Sequence, residues 1–206
     1  MKKSVYIFVE GVADKKFIQD YIKRILPDLQ VDSYKIVVTG GWNIKDEDTK
    51  QTMNQNTDSS GVNLVIFDAD DDFAARKAAL EKTRSEIGVT FELFLFPNNQ
   101  ENGTLENLLE NIILDKNRPI FQCWDGYEQC LRNTTIAGRD EPLTTPAKKT
   151  KIYAYLEALL GKSKSEKKKI KEVERDYRNK DHWNLEADYL KPLKMFLTVH
   201  LLDRND

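Results

Sequence analysis

Four short apolar runs in the first half of the chain most restrict how it can fold, because each stops at an acid, a glycine or a proline and each is followed by helical spacing. Residues 4–9 meet Glu10 and Gly11, residues 34–39 meet Gly40 and Gly41, residues 63–67 meet Asp68, and residues 91–96 meet Pro97. β-Branched and aromatic side chains dominate these runs, as they do in strands. Leu64, Val65, Ile66 and Phe67 are apolar without alternation, which is the mark of a strand buried on both faces of a parallel sheet. Phe17, Ile18, Tyr21, Ile22 and Ile25 recur at helical steps, alanines favour a helix over residues 73–87 with Gly88 as its cap, and Leu105, Leu108, Leu109, Ile112 and Ile113 form a further stripe after Thr104. A weaker helix is expected over residues 44–54. Strand and helix alternating four times predict an α/β fold, a mainly parallel sheet flanked by helices, over residues 1–118. Past Pro119 the strand signals fade, so residues 119–206 are expected to form a helical C-terminal extension packed on the core, with helices over 121–131, 152–160 and 185–202.

A chain of 206 residues, 40% hydrophobic and 32% charged, can bury a sizeable core. No apolar stretch approaches the roughly twenty residues of a membrane span, and the first apolar run soon meets Glu10, so neither a span nor a secretory signal is read. The expected location is the cytoplasm. Two cysteines, Cys123 and Cys130, lack zinc spacing and are read as packing residues, and His182 and His200 are too far apart to suggest a ligand pair. Net charge is only −2, but residues 147–180 carry twelve Lys or Arg against five Asp or Glu, a local +7 that leaves −9 elsewhere. An acidic body beside a basic arm suits a metal-holding centre next to something that attracts phosphate. The densest part of that arm, residues 162–171, is read either as a phosphate contact or as a solvated helix face or mobile loop.

The acids fall where chemistry is expected. In open α/β sheets ligands bind outside the carboxyl ends of the strands. Glu10 follows the first strand, Asp68, Asp70 and Asp72 follow the third, and Glu106 lies just beyond the fourth. Alternation along an extended backbone would put Asp68 and Asp70 on one side. Magnesium takes hard oxygen ligands, so these carboxylates are candidates to hold it, with manganese as a substitute and Glu110 as a further candidate donor. Like charge nearby would raise the pKa of Glu10 and suit it to general acid or base work. The competing reading of the acids after residue 67 is a charged loop that caps the next helix. Trp42, beside two glycines, has the position of a residue that stacks on a base or else covers the core.

Residues 9–14 (VEGVAD) before an apolar helix, then Thr39, Gly40 and Gly41, then residues 66–72 (IFDADDD), resemble the Toprim domain of topoisomerases, bacterial primases and overcoming-lysogenization-defect type nucleases. Residues 95–109 and the helical tail look more specifically like a bacterial Toprim-like family without an assigned function. The resemblance implies a Rossmann-like Toprim core, Glu10 as catalytic acid or base, and Asp68 and Asp70 as magnesium ligands, with Asp72 and Glu106 as further acids. Gly11, Gly40 and Gly41 would line the approach of a bound group. Nuclease relatives also use a late lysine, for which Lys148, Lys149 and Lys151 are candidates, Lys149 being the one carried forward. The implied activity is magnesium-dependent phosphodiester chemistry on DNA or RNA. The alternative is a metal- or nucleic-acid-binding regulatory module that depends on a partner, such as a separate ATPase, since these residues carry no ATPase signature. No membrane partner is expected, and the oligomeric state stays open.

Overall fold

The computed structural model describes residues 3–202. Its centre is a four-stranded parallel sheet, with β1 (Val5–Val9), β2 (Tyr34–Val38), β3 (Val62–Asp68) and β4 (Glu92–Phe96) in the order β2-β1-β3-β4. In register, Val5 lies beside Tyr34 on one side and Val62 on the other, and Leu64 lies beside Glu92. β3 is central, and residues 63–67 within it are all buried, as its unbroken apolar run predicts. The chain leaves β1 toward β2 and then crosses back to β3 on β1's other side. Strand order therefore reverses between β1 and β3, the switch point at which such sheets open a crevice.

Helices cover both faces. α1 (Val12–Ile25), α4 (Leu105–Asn111) and the C-terminal helices pack against Val5, Ile7, Val9, Leu64, Ile66, Phe94 and Phe96 in one cluster. α2 (Glu47–Asp58) and α3 (Phe73–Ile87) cover the opposite face through Met53 and Leu80, against Phe8, Val65, Phe67 and Leu95. Strand alternation produces this division, since Ile7 and Phe8, like Ile66 and Phe67, point to opposite sides. Each fully buried side chain of this kind contributes about 1.5–3 kcal/mol. The fold is thus Rossmann-like α/β with a helical C-terminal part.

That part comprises α5 (Arg118–Asn133), α6 (Lys148–Leu160), α7 (Lys164–Ile170) and α8 (Lys191–Leu202). It shares the first cluster with the sheet through Tyr155, Leu156, Ile170, Tyr177, Trp183, Leu193, Leu197 and Leu201. Asp20 of α1 binds it as well, accepting from the Tyr177 backbone N–H at 3.1 Å while paired with Lys16.

Several local expectations shift. α2 starts later than the 44–54 expectation, because the Asp46 side chain caps it by accepting from Thr49 N at 2.9 Å and Ile44 is buried before it begins. α8 starts at Lys191, with Pro192 in its first turn, preceded by a short 3-10 turn over Asp188–Leu190. The lysine-rich stretch forms α7, capped by Ser163 and Glu166. Cys123 and Cys130 are exposed rather than packed, because of all α5 only Phe121 is buried. No helix among the described residues is long and apolar enough to cross a membrane.

Candidate functional site

At the carboxyl edge of the sheet, β1 runs into Glu10 and β3 ends in Asp68, on adjacent strands flanking the switch point. The two residues meet directly: Glu10 Oε1 accepts a hydrogen bond from the Asp68 backbone N–H at 2.9 Å. Asp68 Oδ1 in turn accepts from the Leu105 N–H, the first residue of α4, at 2.9 Å. Asp14 is nearly buried in the first turn of α1, where its Oδ2 accepts from Gly11 N at 2.7 Å. Glu106 stands one residue into α4 and accepts from Thr104 Oγ1 at 2.8 Å.

Asp68 and Asp14 both feel the charges of Glu10 and Glu106. Burial pushes Asp68 up to about 8, and the charges of Asp14, Glu10 and Glu106 add to the effect against the opposing Leu105 N–H. Burial likewise lifts Asp14 to about 7, helped by Glu10 and Glu106 and opposed by the Gly11 N–H. Glu10 is raised mainly by burial, while the Asp68 N–H and the Arg76 guanidinium pull it back. A buried acid beside like charges holds its proton into the neutral range, and such perturbed groups gather at functional sites.

The remaining expected residues divide. Asp70 does not follow the strand's alternation: its φ is 54°, its N–H bonds to Gly103 O at 2.9 Å, and its carboxylate is ion-paired with Arg76. Asp72 caps α3, accepting from Ala75 N at 2.9 Å, and is exposed, as is Asp71. Gly40 lies close to the centre, its N–H bonding to Glu10 O at 3.0 Å, and Gly41 follows it with φ 138°. Glu110 is ion-paired with Lys151, which also holds Asp125. Of the three lysines, Lys148 reaches the start of α4, donating to Asn107 Oδ1 at 3.2 Å. Lys149 is exposed and forms no ion pair among the described residues.

Two residues of the centre carry little sequence signal. Asp14 reads as an ordinary acid near a helix start, and only its four-residue spacing from Glu10 hints that it shares the site. Gly103 has φ 141°, and a Cβ there would lie 2.7 Å from Asn107 Oδ1, so only glycine fits against the turn that carries Leu105 and Glu106.

Oxygen donors from Glu10, Asp14, Asp68 and Glu106 have the chemistry a hard divalent cation takes. A cation would also offset the burial and the like charge that lift Asp68 and Asp14. Among the described residues, however, no three His, Cys, Asp or Glu side chains stand as a ready ligand group. Glu10 and Asp68 each have one oxygen held by a backbone N–H instead.

Fold and site together define a parallel α/β protein with a half-buried acidic centre at its switch point. Residues 4–201 match the family described as "Protein of unknown function (DUF3226)", and the chain belongs to that family. No curated protein and no solved structure matches it.

Proposed function

We propose that this protein is a magnesium-dependent enzyme of phosphodiester chemistry on nucleic acid, a nuclease of the Toprim type. The observation that supports the reading best is the direct Glu10 to Asp68 contact across the switch point, with Asp14 and Glu106 close enough to raise the Asp68 pKa. In this reading Asp68 and Asp70, assisted by Glu10 or Asp14, hold the ion, while Asp70 keeps Arg76 beside it. Bound magnesium, or manganese in its place, supplies charge for the phosphate oxygens and activates water. Glu10, raised by burial, accepts or returns a proton. Lys148, anchored by Asn107, lends positive charge to the phosphate from the side of α4. Asp72 serves α3 as its cap, and Glu106 tunes the acids and is available to a second ion.

A second reading has one observation in its favour. The carboxylates are turned onto backbone N–H groups and do not converge, which suits a module whose ion site forms only with a partner, such as a separate ATPase, or with bound nucleic acid. Cleavage assays separate the two. With magnesium or manganese, the purified protein is expected to cut single- or double-stranded DNA or RNA, and Glu10→Gln and Asp68→Asn to lower the rate by at least about a hundredfold. Equal cutting by wild type and both variants contradicts the enzyme reading, and metal binding without turnover on any nucleic acid favours the module.

A further inference from the structure

Trp42 is 44% exposed, although Ile44, two residues on in the same loop, is fully buried and already covers the core. Its ring carries the Arg76 guanidinium 4.7 Å from the centroid. The same guanidinium is ion-paired with Asp70, and its charge reaches Glu10. One side chain therefore joins the indole to the acidic centre. The loop is fixed to that centre as well, because Gly40 N donates to Glu10 O at 3.0 Å and Thr39 Oγ1 donates to Gly41 O. A Cβ added at Gly40 or Gly41 would meet nothing within 4 Å, so the backbone that leads into Trp42 is uncovered.

Beside the indole lies an open hollow of about 470 Å³ between the loop and α3, with Lys45 and Lys82 on its walls. Both lysines pair with Glu86, at 2.8 and 3.7 Å, so two ammonium groups share one carboxylate and a positive charge is left over. A flat aromatic surface, a guanidinium stacked on it and surplus ammonium charge suit an unpaired base together with its phosphate. A duplex keeps its bases stacked inside and would leave the indole unused.

We propose that Trp42, with Lys45 and Lys82, forms a nucleobase-stacking subsite through which the protein takes single-stranded nucleic acid in preference to duplex. The choice of nucleic acid rests on the function proposed above. The test is fluorescence anisotropy of a labelled single strand of about twelve nucleotides, which spans such a subsite and its flanks, and of its blunt duplex, both in chelator so that nothing is cut. Wild type is expected to prefer the single strand. Trp42→Ala should weaken single-strand binding about tenfold, leave the duplex unchanged, and be largely rescued by Trp42→Phe. Should the alanine variant fail to fold, Lys82→Gln carries the test, with weaker single-strand binding and a salt dependence shallower by about one phosphate contact expected. Trp42→Ala binding the single strand within about twofold of wild type, or losing both substrates equally, overturns the subsite, as does a Lys82→Gln variant that binds unchanged. Trp42-dependent binding with no cleavage under any condition would overturn the nuclease reading alone. Asp68-dependent cleavage with Trp42-independent binding would overturn the subsite alone.

Discussion

Asp68 has the most strongly raised pKa of the centre, chiefly through burial. Its folded pKa of about 8 lies far above the unfolded value of roughly 3.9, so the folded state holds the proton more tightly. Its contribution to stability is therefore complete below the unfolded value and is lost as the pH rises toward about 8. Asp14, at about 7, loses its contribution over a similar window. Without divalent cation, the melting temperature should fall between about pH 5 and pH 8, and Asp68→Asn, which keeps an acceptor for Leu105 N, should remove part of that fall. A gain of at least about 1 kcal/mol, or 2–4 °C, is expected for the variant near pH 8, shrinking toward pH 5. A melting temperature for Asp68→Asn equal to wild type near pH 8 would show that Asp68 is not held protonated. The same substitution is expected to lower the proposed activity, an exchange of function for stability often met at functional sites. Glu10 and Asp68 were legible in the sequence because an acid directly after an apolar run marks a strand end. Asp70 was less so, since its positive φ breaks the alternation on which the expectation rested. Asp72 follows the competing reading in that it caps α3.

At the scale of elements, the strongly patterned segments read correctly and the weakly patterned ones did not. α3 spans the expected residues 73–87 because its start and stop are both chemical: Asp72 caps one end and Gly88, at φ 67°, ends the other. α2 lacked an apolar stripe, so its bounds depended on the Asp46 cap, which the sequence reading passed over. Within the lysine-rich stretch, where a solvated helix face was one reading, Ser163 and Glu166 form a capping box that sets the start of α7. The turn before α4 depends on Gly103 in the same local way. Gly103→Ala places a methyl group against Asn107 Oδ1 in a left-handed backbone region, and we expect it to destabilise by about 1–3 kcal/mol in thermal unfolding. Because that turn holds Leu105 N against Asp68, activity should fall as well. A variant as stable as wild type would show that the turn tolerates a side chain.

At the scale of the molecule, the sheet and the C-terminal helices are bound by one core. Tyr177 and Trp183 sit in the cluster that contains Val5, Ile7 and Val9. Removing residues 119–206 would strip that cluster of Tyr155, Leu156, Ile170, Tyr177, Trp183, Leu193, Leu197 and Leu201, whose burial at about 1.5–3 kcal/mol each amounts to roughly 12–24 kcal/mol, as large as the 5–15 kcal/mol by which a domain is usually stable. Residues 1–118 alone should therefore give no cooperative thermal transition, and a sharp one would show that the sheet is self-sufficient. The parallel sheet was legible from strand and helix alternation, and the helical tail from fading strand signals. Packing of the tail on the sheet was expected as well, but which residues share the core was not legible, because contacts between residues so far apart leave no periodic trace. The acidic centre lies where this architecture places a ligand, and its proposed chemistry stands on binding a divalent cation there. Titration calorimetry of manganese or magnesium into the full chain near pH 7.5 tests this most directly. Wild type should bind, releasing protons from Asp68 and Asp14, and Asp68→Asn should lose at least about tenfold in affinity. No binding by the wild type, or equal binding by the variant, would contradict the account.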